Sequence, residues 1–203
     1  MIRIIFSMCC VSSVLMAQNA KATLEAFKNK YNTYKTIQGD FVNTLSTQGK
    51  NAQKKGSFKI KGDRYFVQLA SNLLFFDGKQ LVRYNQDDNE YETLEQEADA
   101  FNPKDLFQDY DKNFKYEQKA DFVLDKENCF VFYLYPISKQ KQKNYAHLEV
   151  YITKKDLLLK RFVTVSKDQT RFLIDISQLQ FNQNMDDKIF SFDVSKYPGA
   201  EQL

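Results

Sequence analysis

The chain has one histidine, His147, in 203 residues, with three cysteines, three prolines and six glycines. Each scarcity excludes something. With a single imidazole, and no His-Glu-x-x-His pair, Gly-x-Ser-x-Gly elbow, Cys-x-x-Cys or glycine-rich phosphate loop, the residues that usually carry catalysis or hold a metal are missing. An enzyme is not expected, nor is a cofactor or a metal. Cys9 and Cys10 lie within an apolar N-terminal run, so Cys129 stands alone after it and no intrachain disulfide can form there. Prolines and glycines are too few for a linker or a low-complexity tail. Charge is nearly balanced, 29 basic against 26 acidic side chains, which gives no footing for nucleic acid. Beyond the N-terminus there is no uncharged run long enough to cross a bilayer.

That N-terminus reads as an export signal. Met1-Ile2-Arg3 is positive, Ile4 to Met16 is uncharged and mostly apolar, and Ala17 before Gln18 offers a small residue for cleavage. Residues 1–17 are therefore expected to be a cleaved signal peptide and 18–203 a single exported domain, placed in the periplasm. Cys9 and Cys10 sit inside the apolar run rather than at its end, which speaks against a lipid-modified cysteine.

What is abundant is aromatic and aliphatic residues in strand-like patterns. Asn19 to Tyr34 first spaces Leu24, Phe27, Tyr31 and Tyr34 at three- and four-residue steps, one face of an amphipathic helix. From Ile37 the period becomes two: Ile37, Gly39, Phe41, then Gly56, Phe58 and Ile60 alternating with Ser57, Lys59 and Lys61. Further strands are expected at 64–69, 72–76, 81–85, 91–94, 114–119, 122–124, 129–135, 147–153, 157–165, 170–181 and 189–194. Asp77-Gly78 between Phe75-Phe76 and Leu81-Val82 is a strong hairpin signal. Asn102-Pro103 leading into Leu106-Phe107 predicts one short helix. Short turns imply an antiparallel sheet, and about eleven strands must curl, close or split.

Two charged features read as surface. Ser138 to Asn144 is a basic loop and Lys54-Lys55 a basic pair, both solvated runs by their composition, with contact to anionic headgroups or an acidic face of a membrane complex as the other reading of the loop. The acidic pairs Asp87-Asp88 and Asp186-Asp187 fall in turn-like polar clusters and read as turn formers.

The ordered set resembles the periplasmic outer-membrane lipoprotein carriers, the lipoprotein localisation factor A (LolA) family. It comprises the leading helix with Ile37-Gln38-Gly39-Asp40-Phe41, then Gly56 to Lys61, Asp77-Gly78-Lys79 with Leu81 and Tyr84-Asn85, the Asn102 to Phe107 helix, and Asp187 to Phe192 with Pro198-Gly199. The resemblance implies a mainly β fold: one curved antiparallel sheet forming an incomplete β-barrel, closed by the N-terminal helix and a short helical lid over an apolar cavity. It implies a monomeric chaperone that takes acylated lipoproteins from an inner-membrane lipoprotein-releasing ABC transporter complex towards the outer membrane, where an acceptor receives them. A lipid- or lipoprotein-sensing module on the same half-barrel, signalling to a protein partner, is the other reading. The expected cavity lining is Phe41, Phe58, Ile60, Tyr65, Val67, Phe76, Val82, Tyr84, Phe130, Phe132, Leu134, Val150, Ile152 and Phe162, with Leu24, Phe27, Leu106 and Phe107 on the lid helices. Which sheet face is concave is left open by the alternation. Where family members carry an Arg-Pro pair that latches the lid, this chain has Gly62-Asp63, with Arg64 as the nearest substitute.

Overall fold

The computed structural model describes residues 10–47, 50–95, 114–137 and 145–203, with side chains from residue 20 onward. One helix, α1 (Cys10–Asn32), precedes β1 (Thr36–Thr47), β2 (Lys50–Lys61), β3 (Arg64–Leu69), β4 (Asn72–Phe76), β5 (Leu81–Asn85) and β6 (Glu90–Leu94). Further along come β7 (Phe114–Leu124), β8 (Glu127–Pro136), β9 (His147–Thr153), β10 (Leu159–Val165) and β11 (Arg171–Phe181), then two 3-10 turns and β12 (Glu201–Gln202).

All twelve strands belong to one sheet in the order β12-β6-β5-β4-β3-β2-β1-β11-β10-β9-β8-β7. Neighbours are antiparallel except β12, which lies parallel to β6 through Glu201 and Glu90. The sheet does not close, because β12 and β7 are its two ends and do not pair. It is the expected half-barrel, with twelve strands among the described residues against the eleven or so expected.

Turn chemistry fixes the registers. Gly62, at φ 59°, permits the tight β2–β3 turn. Asp77 Oδ1 accepts hydrogen bonds from the amides of Lys79 and Gln80, both 2.8 Å, so residues 77–80 form a four-residue loop and Phe76 pairs with Leu81. Those amides, Gln80 first, hold the Asp77 carboxyl below the usual carboxylate range.

Three expectations are corrected. Residues 114–119 and 122–124 join into one strand, β7, through a register shift between Lys119 and Phe122. The strand expected at 189–194 is replaced by 3-10 turns at Asp187–Phe190 and Val194–Lys196, because Asp186 and Asp193 accept from the amides of Lys188 and Ser195 and bend the chain locally. The N-terminal helix begins at Cys10, upstream of the expected start, and runs through the expected cleavage point. The helix expected at 102–107, the basic loop expected at 138–144 and the start of the expected export signal lie outside the described residues. Among the described residues, no helix is long and apolar enough to cross a membrane.

Candidate functional site: an apolar sheet face covered by a helix

Cross-strand register sorts every side chain to one face of the sheet, since partners directly opposite share a face. Ile37 opposes Ile60 and Phe181; Ile60 opposes Tyr65; Tyr65 opposes Phe76. In the other half, Phe132 opposes Val150, Val150 opposes Phe162, and Phe162 opposes Ile174. These residues form one apolar cluster with Leu24, Phe27 and Tyr31 of α1, so this face is the one the helix covers. Leu24, Phe27 and Tyr31 are buried, as are Phe132, Ile152 and Phe162 across the contact. Each such side chain contributes about 1.5–3 kcal/mol relative to leaving it in water. The helix is therefore held chiefly by non-directional contact.

Among the polar bonds that fix where the helix sits are two to the β9–β10 connection. The Tyr31 hydroxyl accepts from the Leu159 amide at 3.0 Å, where the β9–β10 ladder shifts register, and burial pushes its phenol up. Lys30 Nζ donates to the Asp156 carbonyl in the β9–β10 turn. Aromatic contacts extend the seam: Tyr31 meets Phe27 at 4.6 Å and Phe181 edge-on at 6.0 Å, and Tyr34 stacks on Phe181 at 4.0 Å.

The structure brings most of the expected lining onto this face. Phe41, Phe58, Ile60, Tyr65, Phe76, Phe132, Leu134, Val150, Ile152 and Phe162 are buried in the cluster, while Val67 and Phe130 are half-buried against it. Val82 and Tyr84 are corrections. Val82 opposes Phe75, and Tyr84 packs with Leu73 and Phe75 in a second cluster on the reverse face. A loop with an even number of residues, here 77–80, pairs Phe76 with an odd-numbered residue, so Leu81 rather than Val82 accompanies Phe76. Leu106 and Phe107 lie outside the described residues. Sequence reasoning passed over Leu81, Leu148, Leu159 and Ile176, all buried in the same cluster. Their alternation is readable once the face that the helix covers is known.

Two glycines shape the wall. A Cβ on Gly56 would overlap the Phe41 ring and the Gln68 carbonyl, and one on Gly39 would lie 3.2 Å from the Phe58 ring and 3.0 Å from the Ser177 carbonyl. Because Gly56 opposes Phe41 and Gly39 opposes Phe58, each ring occupies the space its partner lacks.

One buried carboxylate lies on the reverse face. Glu149, between Leu148 and Val150 on β9, is buried; its carboxylate accepts from Arg171 at 2.8 Å and from the Tyr151 hydroxyl at 3.0 Å, with His147 Nε2 at 3.5 Å. Burial raises the Glu149 carboxyl, but the Arg171 bond and charge outweigh that and leave it below its ordinary value. Tyr151 is pushed up to about 12 by burial and by Glu149. Cys129 is buried, and burial pushes its thiol up, away from the reactive thiolate form.

Arg64 is occupied elsewhere. Its guanidinium pairs with Asp187 at 2.9 Å and lies 5.6 Å over the Phe190 ring, and Lys61 meets the same carboxylate at 2.6 Å. It ties the C-terminal 3-10 turn to the β2–β3 hairpin. Among the described residues no group of three or more metal-ligating side chains exists. An apolar wall of this kind can hold hydrocarbon by contact alone.

A family model described as outer membrane lipoprotein carrier protein LolA matches residues 32–193. Among solved structures, an uncharacterised conserved protein from Thermus thermophilus superposes with a TM-score of 0.59 at 11% identity, covering 91% of this chain and 98% of the other. A DUF1329 family protein from Desulfovibrio piger gives 0.50 at 14%, covering 87% and 98%. A LolA superfamily protein from Nitrosomonas europaea gives 0.46 at 13%, covering 85% and 97%. No curated protein matches the chain.

Proposed function

The chain belongs to the LolA family of outer membrane lipoprotein carrier proteins, and from that premise we propose that it is a periplasmic carrier that shields the acyl chains of lipoproteins between the inner and outer membranes. The observation that carries this reading is the buried apolar face of the open sheet, covered by α1 through Leu24, Phe27 and Tyr31. Each acyl methylene exposed to water costs about 0.8 kcal/mol, so two or three lipid chains face a barrier on the order of tens of kcal/mol. Crossing an aqueous compartment requires a surface that replaces the bilayer.

A face made of Phe, Ile, Val, Leu and Tyr accepts flexible chains of varied length without demanding one geometry, and so releases them again. For cargo to reach that face, α1 must move away from it or deform. The polar bonds that set its position, Tyr31 to Leu159 and Lys30 to Asp156, then break and re-form once per cycle. Residues 1–17 act in this reading as the export signal. The donor is an inner-membrane lipoprotein-releasing ABC transporter complex, and an outer-membrane acceptor takes the cargo.

Gentle purification from the periplasm followed by native mass spectrometry tests the reading. Co-purifying acylated lipoproteins support carriage. Free lipid, or a single regulatory protein, would favour a sensing role on the same fold.

A further inference from the structure

The reverse face of the sheet carries a cleft that the carrier reading does not use. It is about 240 Å³ and lies between β2–β4 and the two 3-10 turns of the C-terminal segment. Its floor is aromatic: Phe75, with Phe66 5.0 Å from it, and Tyr197. Its rim is basic, with Lys59 from β2 and Lys188 and Lys196 from the tail.

Alternation explains how those charges converge. On β2 the residues Gly56, Phe58 and Ile60 face the apolar wall, which turns Lys59 to the reverse face beside the tail that packs there. Its neighbour Lys61 is neutralised by Asp187. Lys59 and Lys188 form no ion pair with any described residue. The one carboxylate on the rim, Asp193, is already committed: its Oδ1 accepts from the Ser195 amide and hydroxyl at 3.2 and 2.6 Å, and Lys196 reaches it only at 3.9 Å. Three ammonium groups against one occupied carboxylate leave a local excess of positive charge.

The surroundings distinguish between possible anions. Val194, between Asp193 and Lys196, is 48% exposed, so an apolar side chain stands out of the surface beside the lysines. A free anion in solution would gain nothing from that valine or from the aromatic floor. An anionic bilayer surface gains from the valine, because lysines attract its headgroups while an exposed apolar side chain enters the interface.

We infer that this cleft binds the phosphate headgroup of an anionic membrane lipid and docks the reverse face of the sheet on the bilayer, leaving the apolar face free. The inference goes beyond cargo carriage and does not depend on it. Vesicles free of lipoprotein read membrane contact alone.

The test is co-sedimentation with vesicles of phosphatidylglycerol and phosphatidylcholine, against vesicles of phosphatidylcholine only. The protein binds the mixed vesicles, and Lys59→Gln/Lys188→Gln/Lys196→Gln weakens that binding at least about tenfold. Lys115→Gln/Lys126→Gln/Lys167→Gln, with the same net charge and altered at exposed sites on other strands and turns, stays within about threefold of the wild type. Val194→Ser, which removes no charge, also weakens binding. Equal loss in both triple variants would reduce the effect to overall charge and overturn the inference. So would equal binding to phosphatidylcholine alone, or inorganic phosphate shifting the NMR signals of Ser191 and Lys188 while no vesicle binding occurs.

Discussion

The ring of Phe41 lies over Gly56, its partner on the next strand, in the space where any other residue would place a Cβ. An aromatic side chain and a glycine together build one smooth stretch of the apolar wall. The Phe58 ring does the same over Gly39, and the two rings sit 6.4 Å apart at the middle of the sheet.

Gly56→Ala should therefore destabilise the fold by about 1–3 kcal/mol, the range for forcing an extra methyl into packed space. Urea denaturation reads the loss. Phe41→Leu in the same chain should recover part of it, because the smaller side chain vacates the site while the Gln68 carbonyl remains in the way. Additive losses would contradict the packing described.

Tyr31→Phe keeps the ring but leaves the buried Leu159 amide without its acceptor, at an expected cost of about 1–2 kcal/mol. Hydrogen exchange at Leu159 should accelerate by more than at the centre of β9. If the protein carries acyl chains as proposed, the same bond breaks when cargo enters, and the substitution should also raise the rate of acyl-chain uptake.

How much of this was legible beforehand differs between elements. The change of period from three-and-four to two at Ile37 was readable, as were the Asp77-Gly78 hairpin and the alternation of Gly56, Phe58 and Ile60, because each is local. The placement of Val82 and Tyr84 failed because facing depends on loop length. The Asp77 carboxylate organises a four-residue loop, and any even-numbered loop sets Phe76 opposite an odd-numbered residue, here Leu81, so Tyr84 lies on the reverse face under Phe192 and Tyr197. The C-terminal turns failed for a similar reason: Ile189, Phe190 and Phe192 look like a strand until Asp186 and Asp193 cap the amides beside them. The pairing of Arg64 with Asp187 joins residues far apart in sequence, and no local pattern announces it.

The two faces should separate by mutation. Val67→Ala and Phe130→Ala, at half-buried positions of the apolar face, should weaken binding of an acylated peptide several-fold each. Tyr84→Phe removes a 2.8 Å bond to Asn89 on the reverse face, and should lower stability while leaving that binding unchanged. Fluorescence titration with a labelled acyl peptide checks both.

Asp187 gives a pH dependence of known sign. Lys61 first, then Arg64, holds its carboxyl below the ordinary value, so its stabilising effect is fully present above about pH 4 and disappears as pH falls through the depressed folded value. The gap in urea midpoint between the wild type and Asp187→Asn should be constant from neutrality to about pH 5 and shrink below about pH 4. A gap that persists in acid would show that Asp187 acts through something other than its charge.

The most direct test of carriage starts from inner-membrane vesicles that hold an acylated lipoprotein and an active releasing transporter. After the purified protein and ATP are added, the soluble fraction is examined by native mass spectrometry. The account predicts a soluble complex of this protein with the acylated lipoprotein, absent when the lipoprotein lacks its lipid-bearing cysteine. Lipoprotein that stays entirely in the vesicles, with the protein recovered empty, would contradict it.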